Sequence, residues 1–123
     1  DLFKGCLSAP DVCEAVRDGI RSARPGEEVS LCPMADGGEG TAAVLIKALG
    51  GEWIPATVAG PLGRPVEAGY GWIAADRTAI VEMAAASGLT WLDPRERNPL
   101  RATTFGTGEL IRAAADRLKR LAN

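Results

Sequence analysis

The stretch Ala35-Asp36-Gly37-Gly38-Glu39-Gly40-Thr41 packs three glycines and two carboxylates into seven residues. A short apolar run, Val29 to Met34, precedes it. The segment that follows, Thr41 to Leu49, is rich in Ala and Leu, with Lys47 as its only charge. The order reads as strand, glycine-rich turn, helix, which is half of a parallel α/β unit. It leaves a flexible backbone and free amide donors at a helix N-terminus, an end that can seat an anion. Two carboxylates in the same turn repel a bare phosphate, however, so a metal-bridged phosphate or a polyhydroxylated substrate suits it better. The same residues also read as a tight connection whose acidic side chains favour the helix dipole. Spacing leaves both readings open.

The flanking chain has a regular rhythm. Asp1 to Leu7 is a loop holding Lys4 beside Gly5. Ser8 is expected to cap a helix, with Pro10 in the first turn and Asp11 at the capping-box position. Val12, Val16 and Ile20 recur on one face until Arg24-Pro25-Gly26 stops the helix. Val29 to Met34 is expected as a strand covered on both sides and closed by Pro33. Gly50-Gly51 then ends the second helix.

From Glu52 the pattern changes. Trp53 to Val58 reads as a strand and Gly60 to Pro65 as a corner. Val66, Ala68, Tyr70, Trp72 and Ala74 then alternate at a period of two. Ala75-Asp76-Arg77 leads into a strand expected over Thr78 to Glu82, so the new region is antiparallel and a second sub-structure is expected from near Gly60. Met83 to Gly88 reads as one helical turn, Asp93 to Pro99 as a polar loop, and Arg101 to Glu109 as a loop rich in hydroxyls and glycines. A last helix carries Leu110, Ile111, Ala114, Leu118 and Leu121, with Thr107 expected as its N-cap and Glu109 in its first turn. Asp116 and Arg120 are spaced for a surface pair, and Arg117, Lys119 and Arg120 are expected on a solvated face.

Composition narrows the chemistry. The chain has 123 residues, one domain or a piece of something larger, and its formal charge of −2 gives no footprint for nucleic acid. No apolar run approaches the roughly 18 residues that span a bilayer. Cys6, Cys13 and Cys32 have no C-x-x-C spacing and there is no histidine, which argues against a zinc site or a Cys-His nucleophile. The thiols are expected as buried small hydrophobes in a reducing cytosol. A general base must then be a carboxylate, a lysine or the substrate's own chemistry. A chain that starts on a loop and ends on a helix is expected to have lost strands at both edges. Neither G-x-x-x-x-G-K-[ST] nor a G-x-G-x-x-G after a strand is present, which argues against a P-loop enzyme and a dinucleotide oxidoreductase.

Three loops hold the chemistry-bearing residues: Asp1 to Ser8, Asp36 to Thr41, and Arg101 to Gly108. Lys4 suits neutralising transferring phosphoryl oxygens, or is a solvated loop lysine. Asp36 or Glu39 suits holding magnesium or a substrate hydroxyl. Thr103, Thr104 and Thr107 suit phosphate through hydroxyls and amides. Glu82 and Ser87 either face a site or cap a short helix.

At these same loops the sequence resembles a known family. Asp1-Leu2-Phe3-Lys4-Gly5-Cys6-Leu7-Ser8-Ala9 is similar to the D-S-F-K-G-S-L-S-A signature of bacterial glycerate kinases of the glycerate 2-kinase type. Pro33 to Thr41, Gly60-Pro61-Leu62-Gly63-Arg64-Pro65-Val66, Glu82-Met83-Ala84-Ala85-Ala86-Ser87-Gly88-Leu89 and Arg97 to Ile111 also match, in the family's order. The resemblance implies phosphoryl transfer from ATP, with magnesium, to the 2-hydroxyl of D-glycerate in a cytoplasmic enzyme. It implies an α/β fold: a partial Rossmann-like parallel layer over residues 1–59, then the beginning of an inserted mixed α/β domain over 60–123. Motif by motif it implies catalytic roles for Lys4, Asp36 and Glu39, with Asp36 also a metal ligand. Substrate or nucleotide contacts are implied for Asp1, Arg64, Glu82, Ser87, Arg101, Thr103, Thr104 and Thr107.

Two departures stand out: Leu2 and Cys6 replace signature serines, so any serine hydroxyl contact there is altered or lost. Family members are also much longer, so this chain is expected to be an N-terminal fragment that does not turn over alone. A non-catalytic small-molecule binding domain on a degraded kinase scaffold is the alternative. Neither a nucleic acid nor a membrane partner is expected.

Overall fold

The computed structural model of the chain describes residues 6–122. The first helix, α1, spans Ala9–Ala23. The expected capping box is present. The Ser8 hydroxyl accepts from the Asp11 amide at 3.3 Å, and the Asp11 carboxylate accepts from the Ser8 amide at 3.3 Å. The second helix, α2, spans Thr41–Leu49 and ends on Gly50, whose φ of 70° is the left-handed cap that glycine adopts without strain.

The strand expected between these helices does not form. Residues 27–36 take no regular structure, and Val29 to Met34 has no ladder partner among the described residues. An apolar run becomes a strand only when a neighbour takes up its backbone donors and acceptors. Helix α1 buries none of its residues; Val16 and Ile20, on its apolar stripe, stay exposed. The thiols expected to be buried are not: Cys6 and Cys32 are exposed and Cys13 is half-buried.

The sheet lies in the following region. Strands β1 (Glu52–Ala59), β2 (Pro65–Ile73) and β3 (Thr78–Ile80) are antiparallel in the order β1-β2-β3. Pairing of β1 with β2 runs from Glu52 opposite Trp72 to Ala59 opposite Pro65, so the corner at Gly60 lies inside one hairpin. The Gly60 amide donates to the Arg64 carbonyl at 2.7 Å, and Gly63 takes a φ of 80° that the turn requires. The third strand stops at Ile80, two residues short of its expected end at Glu82.

Within β2, Ala68 to Ile73 are buried without a break. Successive side chains point to opposite faces, and here both faces are covered. Gly71 meets Ile46 of α2, while Tyr70 and Trp72 join Val58, Ala86, Leu110 and Ala114 in the core.

Helix α3 spans Met83–Ser87, two single 3-10 turns follow at Leu89–Trp91 and Pro94–Glu96, and α4 spans Phe105–Ala122. The last helix thus starts ahead of Thr107, which lies in its first turn and is not its N-cap. At Gly106, in the first turn, a Cβ would overlap the Ala59 carbonyl oxygen, so only glycine lets α4 lie this close on β1. Asp116 pairs with Arg112 at 4.0 Å and with Lys119 at 3.9 Å in place of the expected Arg120. Arg117 is not on a solvated face. Its guanidinium sits 5.2 Å from the centroid of the buried Trp72 ring and donates to Glu52 at 2.9 Å, tying α4 to the sheet.

Candidate functional site

The glycine-rich turn is built from its own side chains. Asp36 Oδ1 accepts from the Gly38 amide at 2.9 Å, and Thr41 Oγ1 accepts from the Gly37 amide at 3.1 Å. Gly37 and Gly40 carry φ values of 89° and 90°, in the left-handed region where a side chain is strained. The turn therefore needs Gly37 and Gly40 for its conformation alone.

The helix N-terminus behind this turn already holds an anion. Glu82, which follows β3, forks across it. Its Oε1 accepts from the Gly40 amide at 3.1 Å and its Oε2 from the Ala42 amide at 3.0 Å. Hydrogen bonds to a charged acceptor at a helix N-terminus are among the stronger ones. Glu82 thus caps α2, across 40 residues of chain, rather than the short helix α3 that it precedes.

At the other end of α3, Ser87 Oγ lies 2.7 Å from Thr107 Oγ1 in the first turn of α4. The five-residue helix α3 therefore links the carboxylate turn to the hydroxyl-rich loop, with a polar contact at each end. The same loop is fastened to the corner: the Thr103 amide donates to the Pro61 carbonyl at 2.9 Å, and the Thr103 hydroxyl accepts from the Phe105 amide at 3.1 Å. Arg64, from that corner, donates to Glu96 Oε1 at 2.5 Å. That bond, first among the causes, holds the Glu96 carboxyl below the usual glutamate range.

Asp36 and Glu39 are exposed and line a cavity of about 640 Å³, whose other walls include Pro10, Leu31, Met34 and Val44. Arg101 and Thr104 are exposed at the start of the α4 loop. The expected residues Asp1 and Lys4 lie outside the described residues.

The exposed carboxylates fit a magnesium ion that takes few of its ligands from protein. Among the described residues no group of three or more Asp, Glu, Cys or His side chains gathers to cage a metal. Magnesium bridging phosphates needs only one or two protein carboxylates, and the exposed pair Asp36 and Glu39 supplies that number.

Three structural contributors are not apparent from the motifs. Glu109 Oε2 accepts from the Ala59 amide at 2.7 Å, locking α4 to the end of β1. Glu96 is the partner of Arg64, and Thr41 closes the glycine-rich turn. Only Thr41 carries a local signal, a hydroxyl at the end of a turn.

Residues 1–120 match the model of the glycerate kinase family. The chain is 51% identical over 116 residues to a glycerate kinase of Bacillus subtilis (strain 168), covering 94% of this chain and 30% of that protein. It is 44% identical over 116 residues to a glycerate 2-kinase of Escherichia coli (strain K12), again covering 94% of this chain and 30% of the relative. A crystal structure from Salmonella typhimurium LT2, of a protein assigned as glycerate kinase 2, superposes with a TM-score of 0.70 at 46% identity, covering 89% of this chain and 30% of that one. The chain thus spans about 30% of the length of the curated relatives it matches.

Proposed function

The chain belongs to the glycerate kinase family, and from that premise we propose that the protein it comes from transfers the γ-phosphoryl group of ATP to the 2-hydroxyl of D-glycerate. The hydroxyl oxygen forms the new bond to phosphorus, the bond to ADP breaks, and the hydroxyl proton leaves to a base. No histidine is present in these 123 residues, so the acceptor within this chain is a carboxylate, a lysine or the substrate's own chemistry.

Phosphoryl transfer asks a protein mainly for positioning and charge stabilisation. In this reading Lys4 neutralises the transferring phosphoryl oxygens, while Asp36 and Glu39 hold magnesium or a glycerate hydroxyl. Magnesium, when bound, spreads the charge developing between the phosphates. Asp1, Arg64, Ser87, Arg101, Thr103, Thr104 and Thr107 are assigned to substrate or nucleotide. The division at residue 60 belongs to the same proposal, with the β1–β2 hairpin spanning it, as does a cytoplasmic location.

The observation that carries the reading is the linkage of the separate motif segments. Glu82 holds the 36–41 turn, Ser87 meets Thr107, and Thr103 is fixed to the corner that carries Arg64. Motifs far apart in sequence are fastened together, as one ligand site requires. The test is the product: in the full-length protein, phosphorus NMR of a reaction with D-glycerate is expected to show 2-phosphoglycerate. Phosphate on the 3-position, or none on glycerate, would overturn the assignment.

A further inference from the structure

We propose that Glu82 is a positioning residue that occupies the anion seat of the glycine-rich turn, so that the turn meets its ligand through carboxylates and not through amides. The inference rests on the kinase reading for its catalytic consequence and on geometry for the rest. Each Glu82 oxygen takes one α2 amide, at 3.1 Å from Gly40 and 3.0 Å from Ala42. The remaining turn amides with assigned partners are also engaged, Gly37 by Thr41 Oγ1 and Gly38 by Asp36 Oδ1. A phosphate approaching this helix end meets a carboxylate already bound in its place.

What the turn presents outward is different in kind. Asp36 and Glu39 are exposed at the cavity, whereas Glu82 is half-buried. The backbone that carries Asp36 and Glu39 is held in shape by a residue 43 positions beyond Glu39 in the sequence, at the start of α3. A group at that junction also feels the other end of α3, where Ser87 meets Thr107. Glu82 thereby sets the spacing between the carboxylate turn and the hydroxyl loop.

Glu82→Gln in the full-length protein tests this, since it keeps the volume and one acceptor and so preserves the fold. Its side-chain NH₂ must face one of the two amides. Hydrogen exchange at Gly40 or Ala42 is expected to quicken by about tenfold, the scale of a lost charged hydrogen bond. The kcat for D-glycerate is expected to fall by a similar factor while the KM for ATP holds. Glu82→Asp, which keeps the charge, should recover part of the kcat. In Glu82→Ala, added formate should restore protection of both amides. Unchanged exchange at both amides overturns the proposal, and so does faster exchange with wild-type kcat. A wild-type protein inactive on D-glycerate sinks the kinase reading instead, a failure visible before any variant is made.

Discussion

The Ser87 and Thr107 hydroxyl oxygens lie 2.7 Å apart, joining the last residue of α3 to the first turn of α4. Both residues are half-buried. A double-mutant cycle with Ser87→Ala and Thr107→Val, read by urea unfolding, should give a coupling of about 1 kcal/mol. Additive single-variant effects would mean that the pair does not contribute.

Gly106→Ala should destabilise the protein by about 1–3 kcal/mol, as overpacking does in a close contact. The new Cβ would overlap the Ala59 carbonyl oxygen, which is backbone and cannot swing away. Gly108→Ala serves as the control, because a Cβ there meets nothing within 4 Å and alanine favours a helix. Thermal unfolding should separate the two variants clearly.

Acid should loosen the corner that carries Arg64. The Glu96 carboxyl is lowered from its ordinary value, first by its hydrogen bond to Arg64. A depressed carboxylate contributes stability above its unfolded pKa and loses it as pH falls through the folded one. Glu96→Gln is therefore expected to be less stable than wild type near neutrality. The difference should vanish well below the glutamate range. Denaturant midpoints at the two extremes check this, and a gap that persists in acid would contradict it.

Lys4→Met in the full-length protein should cut turnover by orders of magnitude if Lys4 neutralises phosphoryl charge. Circular dichroism should show the fold retained. Near-normal rates would remove that role.

Local chemistry in the sequence anticipated the elements that depend on it. The Ser8–Asp11 capping box, the Gly50 cap of α2 and the alternating residues of β2 are each decided by neighbours in the chain. Elements that depend on a distant partner were not legible. Val29 to Met34 has the composition of a strand, but a ladder needs a second strand. Arg117 reads as a solvated charge until Trp72 is placed beneath it. The close approach of α4 to β1 depends on Gly106 lying against Ala59, which no helix propensity encodes.

The candidate site divides in the same way. Asp36, Glu39 and the glycines between them stand out as an unusual turn. That Glu82 closes this turn depends on a pairing 42 residues apart, which spacing alone does not reveal.

The measurement that bears most directly on the kinase assignment is ADP formation by the full-length protein with ATP and magnesium, with and without D-glycerate. ADP release that depends on D-glycerate, and that drops sharply in Asp36→Asn, is the predicted result. ADP release indifferent to D-glycerate, or absent with it, would contradict the account and leave a binding domain on a kinase scaffold.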